Sequence, residues 1–199
     1  IKKGGDRSRL RIHDTGRFKI TTGRLVASDP HYLLDSPSVF AKSVTPGEYP
    51  TFAATLTDKD HHPRVVLAGI WFQMQTPTRY ELALFEGEDP AILDGDEEMR
   101  GGIGVDHAMA CIADAAPVRQ FNTDTDGDWA GEFNDQLESI LKPTSIGGVG
   151  SLGTAHPFPV ALWRSGYGDG MYTPFWGLDA NNEVCNLVID FEILENGLP

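Results

Sequence analysis

"RVVLAGIWF", residues 64–72, decides how this chain is read. Every residue after Arg64 is apolar or glycine. The run is too short to cross a bilayer, which takes about 20 residues as a helix. It also lacks the alternation of a strand with one wet face. It therefore reads as a central strand covered on both sides.

The segments around it read as further strands. "EYPTFAATLT" (48–57) alternates, with Pro50, Phe52, Ala54 and Leu56 on one face and Tyr49, Thr51, Ala53 and Thr55 on the other. "GRFKITTGRLVAS" (16–28) reads as two short strands broken near Gly23, and "TPTRYELALFEG" (76–87) alternates again. "GIGVDHAMACIADA" (102–115) carries Ile103, Val105, His107, Met109 and Cys111 on one parity; it fits one strand, with a tail that can turn helical. "FPVALW" (158–163) is another strand, and "LVIDFEIL" (187–194) has the cleanest alternation. Loops are expected at 29–40, at 58–63, in the acidic stretch 86–102 and in the glycine-rich stretch 147–153, with a tight turn at 179–182. One helix is well signalled. In "DWAGEFNDQLESILKP" (128–143), Trp129, Phe133, Leu137, Ile140 and Leu141 form an apolar stripe. Asp126 or Asp128 can cap it and Pro143 stops it. The expected fold is mainly β (α+β): an antiparallel β-sandwich or partly open barrel with one packed helix near 128–142, in a single domain over 1–199.

Composition narrows the function. Of 199 residues 40% are hydrophobic, with 10 Phe and 4 Trp, enough for a sizeable core. Lys and Arg number 16 against 29 Asp and Glu, a formal charge of −13. That balance repels phosphate backbones and argues against nucleic acid. It favours a basic partner or a cation. Cys111 and Cys185 sit in apolar strand-like stretches and read as buried free thiols; a bridge between them is left open. The chain starts at Ile1, so the expected cytoplasmic location leaves open what precedes it.

Several motifs carry possible chemistry. "GVGSLG" (148–153) matches the glycine pattern of a dinucleotide site, but proline-rich "HPFP" follows where a helix must start, so it reads as a loop. "NTDTDGDW" (122–129) places Asn122, Asp124 and Asp126 at the alternate positions of a calcium loop, with Glu132 near the closing position. The closing position itself is Phe133, and the rival reading is an aspartate cluster at a helix start. His61–His62 is a turn pair, while His13, His31 and His156 stand isolated, so the spacing argues against zinc. His107, beside Asp106, can be a base oriented by a carboxylate or a hydrogen-bonded structural group. "SGYGDGMY" (165–172) has glycines at alternate positions. It reads either as an extended segment whose bare face admits another chain, with Asp169 bonding nearby amides, or as a cleft floor where Ser165, Asp169 and Tyr172 supply polar groups. The candidate cleft is Asp106, His107, Asp114, Ser165, Asp169 and Tyr172.

"TGRLVASDP" (22–30), "VTPGEYP" (44–50), "RVVLAGIWF", "GIGVDHAMACIAD" (102–114), "SGYGDGMY" and "FWGLDANNEVCNLVIDF" (175–191), taken in order, resemble a bacterial family catalogued as domain-of-unknown-function family 4241. The resemblance implies a compact cytoplasmic domain and no particular activity. It implies that Asp29, Asp106, Asp114, Ser165, Asp169, Tyr172 and Asp190 belong to the motif set.

Three functions are expected from these features. The first is a protein-binding module, of inhibitor or immunity type, for a basic protein. The second is a hydrolase-like enzyme with its cleft at 165–172. The third is a calcium-stabilised binding module.

Overall fold

The computed structural model describes residues 10–33, 37–57, 62–89, 102–124, 130–154 and 156–194, with backbone alone at 121–124 and 130–132. Its strands form two antiparallel sheets. In the larger, β1 (Arg11–Ile20), β3 (Gly47–Thr57), β4 (Pro63–Trp71), β11 (Val184–Asp190) and β10 (Gly170–Leu178) lie side by side in that order. The far edge of β10 is shared by β5 (Arg79–Leu82), along Phe175–Leu178, and β6 (Ile103–Val105), along Gly170–Tyr172. The smaller sheet runs β2 (Leu25–Ser28), β7 (Met109–Asp114), β9 (Phe158–Arg164), β8 (Gly147–Leu152). The two sheets do not close on one another, so of the two architectures expected it is the sandwich.

Alternation explains why the sheets stack. Phe18, Ile70, Trp176 and Leu187 of the larger sheet meet Leu25, Ile112 and Trp163 of the smaller in one buried cluster. The opposite face of the smaller sheet is also apolar. Val26, Cys111 and Leu162 pack there against Val118 of α1 (Ala115–Asp124) and Phe133, Leu137 and Leu141 of α2 (Ala130–Leu141). The result is three layers. The run at 64–72 is central as expected: β4 pairs with β3 and β11, Ile70 faces inward, and Val66 packs outward with Leu56, Ile193 and Leu194. A polar seam ties the sheets together. Trp163 Nε1 donates to Thr15 Oγ1 at 3.1 Å, and the Thr15 and Thr51 hydroxyls lie 2.8 Å apart.

Several expectations are corrected. The helix expected at 128–142 is α2; its stripe residues Phe133, Leu137 and Leu141 are buried, while Trp129, Asp126 and Asp128 lie outside the described residues. The tail of the 102–115 segment stays in strand β7 to Asp114, and α1 starts at Ala115 as a second helix where one was expected. That segment is two strands, not one, because a turn at Asp106–Ala108 carries the chain from one sheet to the other; Ala108 takes a positive φ of 52° there. The alternating stretch 76–87 contributes only β5, and the last strand is 184–190 rather than 187–194. The glycine-rich "loop" is strand β8. Its glycines answer to tertiary contacts. A Cβ on Gly147 would lie 2.2 Å from Trp163 Cδ1, and one on Gly148 would lie 2.5 Å from the Ile140 carbonyl oxygen. Side chains at these places would push away the ring and the helix packed on the strand.

Candidate functional site

Two chain crossings between the sheets meet at one end of the sandwich. The first is the turn Asp106–Ala108. The second is Ser165–Asp169, between β9 and β10. They are bonded to each other: Ser165 N donates to the Ala108 carbonyl at 3.1 Å, and Ala108 N donates to Asp169 Oδ1 at 3.1 Å.

The 165–172 stretch is a tight turn over 165–169 and becomes extended only at Gly170–Tyr172, where β10 begins. Gly166 and Gly168 take φ of +39° and +111°, a region glycine enters without penalty. Gly168 N donates to the Ser165 carbonyl, and the Gly168 carbonyl in turn accepts from Ser165 Oγ at 2.8 Å and Tyr172 OH at 2.7 Å. Burial pushes the Tyr172 phenol above its ordinary range. Ser165 is thus a donor committed to a carbonyl. Met171 and Tyr167, by contrast, project outward, 45% and 67% exposed.

Asp29 sits on the other side of the Asp106–Ala108 turn. It follows β2 and caps the short 3-10 turn Pro30–Tyr32, whose proline presets the entry. Its carboxylate has no exposed surface. Oδ1 accepts from His31 N at 2.9 Å; Oδ2 accepts from Asp106 N at 3.0 Å and His107 N at 2.9 Å. Those amides satisfy a buried charge that would otherwise be costly. Both imidazoles then close over the carboxylate. His31 Nδ1 lies 3.2 Å from Oδ1 and His107 Nδ1 lies 3.2 Å from Oδ2. The rings stack with centroids 3.8 Å apart, and His31 Nε2 lies 2.9 Å from Asn134 Oδ1 on α2. Tyr32 OH donates to Asp106 Oδ2 at 2.7 Å, and its ring stands 6.0 Å from that of His107. Tyr32 also lines a cleft of about 210 Å³, together with Ser28, Ser38, Phe85 and Ile103.

Of the six cleft residues proposed from sequence, five gather here: Asp106, His107, Ser165, Asp169 and Tyr172. Asp114 does not. It ends β7, whose other end, Met109, follows the turn; five residues of strand separate them by about 16 Å. There it accepts from Thr21 N at 2.6 Å, Thr21 Oγ1 and Thr22 N at 2.8 Å each, and Thr22 Oγ1. Burial works against its ionisation and is the largest single influence, yet the hydrogen bonds from Thr22 and Thr21 together win and lower its pKa. The calcium set is placed in part only. The backbone of Asn122 and Asp124 is helical, in α1, while Asp126 and the side chains of Asn122, Asp124 and Glu132 lie outside the described residues. The sequence reading left His31 isolated; the fold stacks it on His107. The signal was the spacing Asp29–Pro30–His31, but its partner lies in a distant segment.

A sandwich carrying a helical layer, with its sheet crossings clamped by aspartates, is the class this fold defines. The chain belongs to the family described as Protein of unknown function (DUF4241), whose model matches residues 18–189. No curated protein and no solved structure matches the chain. Among the described residues no helix is long and apolar enough to cross a membrane.

Proposed function

We propose that the protein is a binding module of inhibitor type that captures a basic protein through the turn Ser165–Asp169 and the adjoining start of β10 at Met171. The observation that carries this is the pairing of a rigid backbone with exposed apolar side chains. Five hydrogen bonds fix the turn, yet Tyr167 is 67% exposed and Met171 45% exposed. Aromatic residues and methionine are enriched at protein interfaces, and a pre-organised turn loses little entropy on binding. The charge of −13 steers a basic partner toward it. Arg64 already stacks over the Tyr167 ring at 5.4 Å, a cation contact a partner's arginine can repeat on the open face. The hydrolase reading is weaker, because Ser165 Oγ is spent on the Gly168 carbonyl.

The test is cross-linked capture on the immobilised full chain, run in parallel with the double variant Tyr167→Ala, Met171→Ser. The expected result is a basic protein held by the wild type, held at least about tenfold more weakly by the variant, and associating more slowly as salt rises. A partner that binds both chains equally, or whose binding ignores salt, overturns the proposal.

A further inference from the structure

We propose that Asp29, His31 and His107 bind a single divalent transition-metal ion of the zinc class. This stands apart from the capture surface, since none of its residues belongs to the 165–171 segment.

The three residues each offer one ligand atom, and these atoms lie within 4.8 Å of one another. The spacing suits a metal as well as it suits hydrogen bonds. Both imidazole nitrogens lie 3.2 Å from the carboxylate, at the long limit for N–H···O. Ligands about 2.0–2.1 Å from a tetrahedral zinc stand roughly 3.3 Å from each other. His31 Nδ1 stands at nearly that distance from Oδ1 and His107 Nδ1 from Oδ2, and one ligand atom from each of the three residues lies within 4.8 Å of the others, so a small inward shift of one ring would complete the set.

The surroundings favour the same reading. Asn134 Oδ1 lies 2.9 Å from His31 Nε2. With Asn134 accepting the Nε2 proton, His31 Nδ1 turns its lone pair toward Asp29. Two acceptors then face each other, an arrangement that a cation between them relieves. Metal-bound histidines commonly donate their second ring nitrogen to such an oxygen, which fixes the tautomer. Three backbone amides hold the Asp29 carboxylate in place before any ion arrives. Among the described residues the two imidazoles are the basic side chains recorded against Asp29, and no lysine or arginine is recorded competing for it.

The donor set also selects the metal. Two imidazoles and one carboxylate suit zinc, cobalt or nickel, whereas calcium and magnesium want oxygen throughout. The His107 side chain is 42% exposed, so the site faces solvent on one side. Three protein ligands leave a fourth position for water or a ligand, as in zinc sites that act on substrates rather than staple a fold.

The experiment is zinc titration calorimetry on the full chain after chelator treatment, with cobalt(II) visible absorption as a second readout. One ion per chain is expected, with the visible bands of tetrahedral cobalt. His107→Ala and His31→Gln should each weaken binding by at least about tenfold, and Asn134→Leu, which touches no metal, by about tenfold through His31. His156→Ala should leave it unchanged. His107 is the main probe, since its exposed ring can be removed without opening the core; circular dichroism confirms the fold of each variant. No uptake by the wild type, or wild-type affinity in a folded His107→Ala, overturns the proposal. In either case the two imidazoles are hydrogen-bond donors to Asp29 and nothing more.

Discussion

Asp29 holds His107 twice, through its backbone amide at 2.9 Å and its ring nitrogen at 3.2 Å, across 78 residues of chain. One carboxylate thereby fixes both a turn between sheets and the direction of an imidazole. Removing it should loosen the first. Asp29→Ala leaves three part-buried amides without their acceptor, a loss of about 3 kcal/mol. For a chain of this size that is roughly 6–12 °C in Tm, read by thermal denaturation. A drop of less than about 2 °C would mean the turn stands without its clamp.

Asp114 predicts a pH effect. Its pKa is lowered in the folded state, so its contribution is complete above the unfolded carboxylate value, about 3.9, and fades as pH falls through the lower folded value. At pH 7 Asp114→Asn should cost about 2 kcal/mol. Near pH 2 the gap between variant and wild type should have closed by more than half. Urea unfolding at the two pH values measures both, and an equal gap at both would show that the threonine bonds do not depend on charge.

The two thiols should be silent. Cys111 and Cys185 are free and buried in different sheets. Burial raises the pKa of each, with the Asp29 carboxylate adding to the effect at Cys111 and Asp179 at Cys185. A thiol reagent should label neither in the native protein and both in denaturant. A disulfide seen by mass spectrometry in the unreduced chain would contradict this pairing.

Strand β8 offers a packing test with two outcomes from neighbouring glycines. A Cβ on Gly150 would lie 2.4 Å from Ile140 Cγ1, a side-chain atom, while one on Gly148 meets the Ile140 carbonyl. Each alanine substitution should cost about 1–3 kcal/mol. In an Ile140→Ala background the Gly150→Ala cost should shrink by about 1 kcal/mol or more, and the Gly148→Ala cost should not. Equal relief at both positions would place the helix differently on the sheet.

The hydroxyl seam gives a last prediction. Thr15→Val deprives the buried Trp163 indole of its acceptor and should destabilise by about 1–2 kcal/mol. Thr15→Ser should recover most of it; chemical denaturation compares the three.

Much of the fold was legible because local pattern caused it. Gly23 marked the break between β1 and β2, and its φ of +80° with the Val44 carbonyl pressed against it explains why glycine stands there. The stripe of Phe133, Leu137 and Leu141 gave α2. Sandwich and barrel were not separable, since the choice rests on which strands pair, and β4 meets β11 across more than half the chain. The glycines of β8 misled for the same reason: Trp163 and Ile140, which require them, are remote in one dimension. At the site, Asp106, Ser165 and Asp169 were recognisable as motif residues. Their partners were not: of the aspartates that suggested catalytic carboxylates, Asp169 accepts the Ala108 amide and Asp106 accepts the Tyr32 hydroxyl.

The clamps share one property. Asp114 reaches Thr22 over 92 residues, Asp29 reaches His107 over 78, and Ala108 reaches Asp169 over 61. Each joins strands that cannot find one another until most of the chain has been made. Contacts so distant carry a large loop-closure entropy, and chains dominated by them fold on the millisecond-to-second scale. The sheets depend on pairings just as remote, β4 with β11 and β2 with β7, so neither sheet is complete before its crossings come within reach. The aspartate clamps therefore close together with the long-range strand pairs, and the interval before they do is when the inner faces of both sheets are open to aggregation.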